Sequence, residues 1–154
     1  MPINEPNAAT AADLDELTAF LTIADLTLSG LDAPSVRLWI VRDPDSGRII
    51  GSTGYEVSET GDDVLIRSVA VDPTSRERGF GLTLAQFALN KASEVGASRA
   101  WLFSRRSGPF WERLGFEAAD RDELARVLAS TQQVQLFAAT GQLGHEVAWS
   151  RPLR

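Results

Sequence analysis

The sequence predicts an α+β fold, a mixed and mainly antiparallel sheet flanked by helices. Two observations carry this. The first half reads as three β-segments separated by short turns, and the pattern changes period at Asp72-Pro73, after which strand and helix segments alternate.

Thr10 followed by Asp13 reads as a capped helix start, and Leu14, Leu17, Phe20, Leu21 and Ala24 then recur at helical spacing. Past the loop around Gly30 and Pro34, VRLWIVRD (36–43) is a strand, DPDSG (43–47) a turn and RIIGSTGYEVS (48–58) the return strand of a hairpin. ETGDD turns the chain again, and VLIRSVAV (64–71) is the third strand. Leu82, Leu84, Ala85, Ala88, Leu89, Ala92 and Val95 form one helical stripe, ended by Gly96 where a left-handed residue is wanted. RAWLF (99–103) reads as a short buried strand, and Gly108-Pro109 opens a short helix through Leu114, closed by Gly115. Asp120 is placed to cap a third helix over Glu123 to Ser130, leaving QVQLFAA (133–139) and EVAWSRP (146–152) as closing strands. No repeat or linker interrupts the pattern, so residues 1–154 are expected to form one domain with its main helices packed on one sheet.

The composition, 44% hydrophobic and 23% charged, is that of an ordinary soluble protein, with no run of 18 apolar residues to span a membrane. A basic stretch followed by an apolar one, the mark of a secretory signal, does not occur at the start, so a cytoplasmic location is expected. The chain has no cysteine, which excludes disulfides, thiolate nucleophiles and cysteine-ligated metals, and no metal is expected. A net charge of −6 argues against nucleic acid as a partner. The charge is unevenly placed: residues 67–113 carry eight basic side chains against four acidic ones, so this stretch suits a small anion.

Within it, VAVDPTSRERGFGLTLAQFALNKA (69–92) sets two arginines and two glycines where a strand becomes a helix. A helix N-terminus presents unpartnered N–H groups and about +0.5 of dipole charge, and glycines there remove the Cβ that would block close approach of a phosphate. The spacing excludes a P-loop, since no Gly-Lys-Ser/Thr follows, and the third position of a Rossmann Gly-x-Gly-x-x-Gly is Leu84.

The pattern Arg-x-x-Gly-x-Gly, here RERGFG directly after VAVDP, resembles the acyl-CoA pyrophosphate loop of the GNAT N-acetyltransferase superfamily. PFWERLGFE (109–117) is similar to that superfamily's short helix ending in Leu-Gly-Phe. The likeness runs from Asp13 through residue 117. Within the superfamily, GYE (54–56), IRSVAV (66–71) and the aromatic pair before ERLGF resemble small amino-acid-type enzymes such as the arsinothricin N-acetyltransferases.

The resemblance implies a sheet splayed between the strand ending at Val71 and the strand Arg99 to Phe103, with acetyl-CoA as acetyl donor in the gap. Main chain of Val69 and Val71 would pair with the pantetheine arm. Backbone N–H groups of Arg78, Gly79, Phe80, Gly81, Leu82 and Thr83 would take the pyrophosphate, with the charges of Arg76 and Arg78 beside it, and Ser104, Ser107 or water would assist the leaving thiolate. A backbone N–H near Ala70 or Val71 would stabilise the oxyanion. The attacking amine must lose a proton, and Glu56 is the first candidate base, with Glu146 and Glu59 in reserve. With residues 60–63 as the loop, Glu56 falls opposite Arg67. The pair is either an ordinary cross-strand bridge or a substrate site in which Arg67 grips a carboxylate and Glu56 receives the amine. His145, the only histidine, reads as solvated.

Trp111 stands where many members of this superfamily have a tyrosine that protonates the leaving thiolate. An indole N–H is no acid, so Trp111 is assigned to substrate binding, and the single tyrosine, Tyr55, lies on another strand. Arg105 and Arg106 are either exposed or near CoA phosphates, and Trp149 is a candidate homodimer contact or cover for the substrate mouth. The implied function is acetyl transfer to the primary amine of a small, amino-acid-like molecule. Its rivals are a non-catalytic acyl-CoA sensor of the same fold and a protein or peptide N-terminal acetyltransferase.

Overall fold

The computed structural model describes residues 5–75 and 79–153. A short strand β1 (Asn7–Ala8) precedes helix α1 (Leu14–Ile23), and three strands then form the meander: β2 (Val36–Arg42), β3 (Ile49–Val57) and β4 (Asp63–Val71). Helix α2 (Phe80–Glu94) leads to β5 (Arg99–Phe103), a one-turn helix α3 (Gly108–Glu112) and β6 (Glu117–Ala119). Two further helices, α4 (Arg121–Val127) and α5 (Gln132–Thr140), separate β6 from the last strand, β7 (Ala148–Pro152). The seven strands form one sheet in the order β1-β2-β3-β4-β5-β7-β6, antiparallel except where β4 meets β5.

Alternation along β3 and β4 sorts side chains onto the two faces. Val64 and Ile66 enter the core under α2, while Leu65 faces α4 and α5. Helix α2 lies close to the sheet because its buried stripe includes Ala85, Ala88 and Ala92. Gly51 on β3 lets the helix start descend, since a Cβ there would lie 2.9 Å from both Phe80 and Leu84. Thr53 fastens the same contact by donating its hydroxyl to the Leu84 carbonyl at 2.8 Å. Val95, expected on this stripe, lies past the helix end and is exposed, because Gly96 at φ +93 turns the chain away.

The opposite face holds α1, through Leu17 and Leu21, beside α4 and α5. The helices therefore flank the sheet on both faces, with α2 on one and α1, α4 and α5 on the other. The segment 133–139, expected as a strand, is helical. Thr131 accepts from the Val134 N–H at its start and Gly141, at φ +81, closes it, and these caps outweigh the β-leaning composition between them. Strands β1 and β6, two and three residues long, were too short to carry a period.

Helix α1 is tied to the sheet by Arg42, which donates to Asp13 and to Glu16 at 2.7 Å each, while Glu16 also accepts from the Ile49 N–H at 3.0 Å. Asp13 titrates below its ordinary value, chiefly through the Thr10 main-chain N–H and then Arg42. Glu16 is lowered chiefly by Arg42 and then by the Ile49 N–H. Lowered native values mean that this contribution is complete above the unfolded-chain values of 3.8 and 4.5, and is lost as pH falls through the native ones. Arg42→Ala should lower stability by about 1 kcal/mol at neutral pH, a modest figure because the network is solvent-screened. The gap to the parent protein should close as denaturant melts are repeated below about pH 4.

Candidate active site

Strand β4 pairs with β3 along its length but with β5 only at Asp63–Arg99, Val64–Ala100 and Leu65–Trp101. That joined end is clipped by the Trp101 indole donating to Asp63 at 2.9 Å and the Ser98 N–H donating to the Asp62 carbonyl at 2.7 Å. Beyond Leu65 the strands diverge. On β4 the cause is a bulge: Ser52 pairs with Ala70 and Gly54 with Arg67, so β4 carries one extra residue. Ser68 within the bulge has φ +62, a conformation that a residue with a side chain holds only where its surroundings enforce it. Ser52 helps enforce it by donating its hydroxyl to the Ser68 carbonyl at 2.6 Å. On its other edge β5 pairs with β7 along its whole length, from Arg99–Pro152 to Phe103–Ala148, which holds β5 in the sheet where β4 has left it.

The gap opens into a cavity of about 1040 Å³. Val69, Ala70 and Val71 of β4 line one side and Leu102 and Phe103 of β5 the other. Phe20 and Ile23 of α1 stand at its wall, and Ile23 is 81% exposed. Gly81, in the first turn of α2, reaches its outer end beside Val71, and Arg67 and Gln133 line it towards the joined end of the strands. A smaller hollow of about 640 Å³ between α2 and α3, lined by Leu82, Gln86, Asn90 and Arg113, is separate from the splay.

Gly79 is the N-cap of α2, at φ +84, and the first-turn N–H groups of Phe80, Gly81 and Leu82 have no acceptor within the helix. Thr83 differs from expectation. Its N–H and its hydroxyl both donate to the Gly79 carbonyl, at 2.9 and 3.0 Å, because it is the residue that closes the first helical bond. The Phe80 side chain belongs to the core with Val41 and Leu84, and the Leu82 side chain faces the separate hollow, so only main chain of these two is available. Arg76 and Arg78 lie outside the described residues. Gly79→Ala should cost about 1–2 kcal/mol, the strain of a Cβ in the left-handed region, since a Cβ there meets nothing else within 4 Å. Chemical denaturation of the variant measures it.

Glu56 and Arg67 do meet, but not as an exposed cross-strand bridge. The hairpin turn, closed by the Ser58 N–H donating to the Asp63 carbonyl, sets the register so that Val57 pairs with Val64, Glu56 with Leu65 and Arg67 with Gly54. Their side chains then converge on one face, at 2.9 Å, with 0% and 1% exposure. Burial pulls the Arg67 guanidinium below its ordinary value, and the charge of Glu56 and its hydrogen bond pull it part of the way back. Glu56 accepts further from the N–H groups of Gln132 at 2.5 Å and Gln133 at 3.2 Å. The carboxylate of Glu56, read as the amine-receiving base, is thus enclosed and is not among the residues that line the cavity. Arg67 does line it.

The other candidates are spread out. Trp111 is 8% exposed and packs edge-on against Phe110 and Phe116, at 4.9 and 5.4 Å, so it is mainly a core side chain that reaches the cavity. Tyr55 is in the core against Trp39, and burial pushes its phenol up. Ser104 reaches the cavity, where its hydroxyl oxygen accepts from the Ser107 N–H at 3.0 Å. Among the described residues Glu59, Glu146 and His145 do not line it, and Glu146 is held by Gln142 and Arg105. Arg106 reaches Asp25 at 3.3 Å at the cavity mouth. The Trp149 indole, read as a dimer contact or a cover for the substrate mouth, donates within the chain to the Ser104 carbonyl at 2.9 Å. Gln133 was missed, because its segment read as a strand. The signal that would have found it is the Thr131 and Gly141 cap pair.

The chain belongs to the Acetyltransferase (GNAT) family, whose sequence pattern matches residues 7–116. It is 30% identical over 78 residues to the amino-acid acetyltransferases of Neisseria meningitidis serogroups A and B, which covers 51% of this chain and 18% of theirs. Its fold is similar to that of the N-acetylglutamate synthase from Neisseria gonorrhoeae, solved with coenzyme A and N-acetyl-glutamate. There the TM-score is 0.72 at 20% identity, covering 99% of this chain and 35% of that one. A GNAT-family acetyltransferase from Staphylococcus aureus Mu50 matches with a TM-score of 0.73 at 15% identity, over 99% of this chain and 100% of that one. This chain thus spans about a fifth of the curated relatives it matches and about a third of the gonococcal synthase.

Proposed function

We propose that the protein is an acetyl-CoA-dependent N-acetyltransferase acting on the primary amine of a small, carboxylate-bearing, amino-acid-like molecule. The observation that carries this reading is the cavity's polarity. The first-turn N–H groups of α2 lie at its outer end, where they suit an anion, a buried guanidinium lies towards the joined strands, and a stretch of β4 with no β5 partner runs between them. The pyrophosphate of the donor suits main chain from Gly79 to Leu82, with Arg76 and Arg78 adjacent in sequence. The pantetheine arm suits main chain of Val69 and Val71, and a backbone N–H at Ala70 or Val71 suits the oxyanion. That relatives of this fold include a synthase solved with coenzyme A and an acetylated amino acid supports the same division of the cavity.

In the reaction the amine nitrogen bonds to the acetyl carbon, the carbon–sulfur bond breaks, and the nitrogen gives up a proton. With Glu56 enclosed, water in the open cavity is the route for that proton. The thiolate, of a thiol with a pKa of about 8.5, leaves near neutrality without a phenol, and the Ser104 hydroxyl is at hand to donate to it. Arg67 receives the carboxylate. Of its five N–H donors, three point at Glu56, the Thr27 carbonyl and the Ser68 hydroxyl, which leaves two.

Thiol release measured over a panel of amines, each offered with its carboxylate free and amidated, tests the reading. Removing Arg67 altogether would strand a buried carboxylate, at about 3–5 kcal/mol, so the informative change is Arg67→Lys. It should raise KM roughly ten- to a hundred-fold for the free carboxylate and leave the amidated acceptor unaffected. An equal penalty on both would overturn the carboxylate assignment. Gly81→Val should weaken acetyl-CoA binding at least about tenfold in a folded protein, by placing methyls where the cavity meets the helix start. Calorimetry against acetyl-CoA checks it, and unchanged affinity would remove the donor site from α2.

A further inference from the structure

Helix α5 lies between β6 and β7, beyond residue 116 where the family pattern ends, yet its first turn reaches the acceptor end of the cavity. The contact is fully accounted for. The N–H groups of Gln132 and Gln133 donate to the Glu56 carboxylate, that of Val134 donates to the Thr131 hydroxyl, and that of Gln135 begins the helical ladder on the Thr131 carbonyl. A carboxylate at this position also meets the positive end of the helix dipole. The same carboxylate holds the Arg67 guanidinium. The Gln133 side chain, 9% exposed, lines the cavity and donates through Nε2 to the Thr27 hydroxyl at 2.9 Å, while Arg67 donates to the Thr27 carbonyl at 3.3 Å. Glu56, Arg67, Gln133 and Thr27 therefore form one closed set joining β3, β4, α5 and the loop after α1.

We propose that Glu56 is a positioning residue. Its carboxylate locks Arg67 to the first turn of α5, so that guanidinium and Gln133 present one fixed surface to the acceptor's carboxylate end, and α5 sets acceptor specificity. This deepens the proposed function and rests on it. A carboxylate has four lone-pair directions, and three here are filled by Arg67, Gln132 and Gln133. An amide replacing it turns N–H groups toward donors and leaves the guanidinium without its counter-charge, so the orientation of Arg67 is lost while the donor side, from Val69 to Leu82, is untouched.

The experiment compares Glu56→Gln, Gln133→Leu and Arg67→Lys in steady-state acetyl transfer to one acceptor with a free carboxylate and to its amide, with a pH profile for each. Glu56→Gln should raise KM for the free carboxylate about tenfold, the equivalent of one charge-assisted hydrogen bond. Its kcat, its basic-limb pH dependence, its KM for acetyl-CoA and its kinetics on the amide should match the parent. Gln133→Leu should move KM in the same direction by less. A fall in kcat on both acceptors, with a flattened basic limb in Glu56→Gln, would make Glu56 the base and overturn the proposal. If Arg67→Lys discriminates between the acceptors while Glu56→Gln does not, the positioning role is wrong and the carboxylate assignment stands. Should Arg67→Lys fail to discriminate, the function reading fails first. If Glu56→Gln does not fold, Gln133→Leu decides, since it leaves the Glu56 contacts intact, and an unchanged KM there removes α5 from acceptor recognition.

Discussion

Strand β4 satisfies one edge throughout and the other edge hardly at all, and the rest of the molecule is arranged around that inequality. A strand flanked on both sides normally completes both ladders, because an unpaired main-chain group away from water is costly. Here the bulge at Ser68 bends β4 out of reach of β5, while β7 holds the other edge of β5 along its whole length. The Trp101–Asp63 clip prevents the divergence from running back through the sheet. The cavity follows as geometry: two strands joined at one end and parted at the other enclose a wedge, and α1, α2 and α3 wall it.

The wedge places unlike electrostatics at its two ends by unlike means. At the outer end, among the described residues, the field comes from the main chain at the start of α2, which Gly79 lets begin. At the inner end it comes from one guanidinium held by one carboxylate. The outer device is local in sequence, built within a few residues. The inner one is assembled from β3, β4, α5 and the loop after α1, so it exists only once the fold is complete.

That difference explains what could be read in advance. The glycine turn was legible because local backbone geometry dictates local residue types, and the meander and α2 were legible because each spans enough residues to show a period. Thr83 was misread by one position, since which N–H closes the first helical turn depends on where the cap falls. Glu56 and Arg67 were recognised as partners, but their burial was not, because nothing in β3 or β4 announces that α5 will close over them. Gln133 was invisible for the same reason, compounded by a segment whose Val, Leu and Phe lean toward strand while its caps specify helix. The bulge has no composition signal at all: a serine at positive φ is imposed by its neighbours.

The enclosed Glu56–Arg67 pair also bears on how the protein sits between durability and use. Two charges taken out of water seldom repay their desolvation, and well-packed apolar residues of similar volume in such positions are often more stable by about 1–4 kcal/mol. Here Glu56 also accepts from the N–H groups of Gln132 and Gln133, so a chain with methionine and leucine at positions 67 and 56 would leave the start of α5 without its acceptor and, on the proposed reading, would be blind to its substrate. The pair therefore serves folding and the proposed recognition through the same carboxylate, and a change that spares one of these roles has to replace the other.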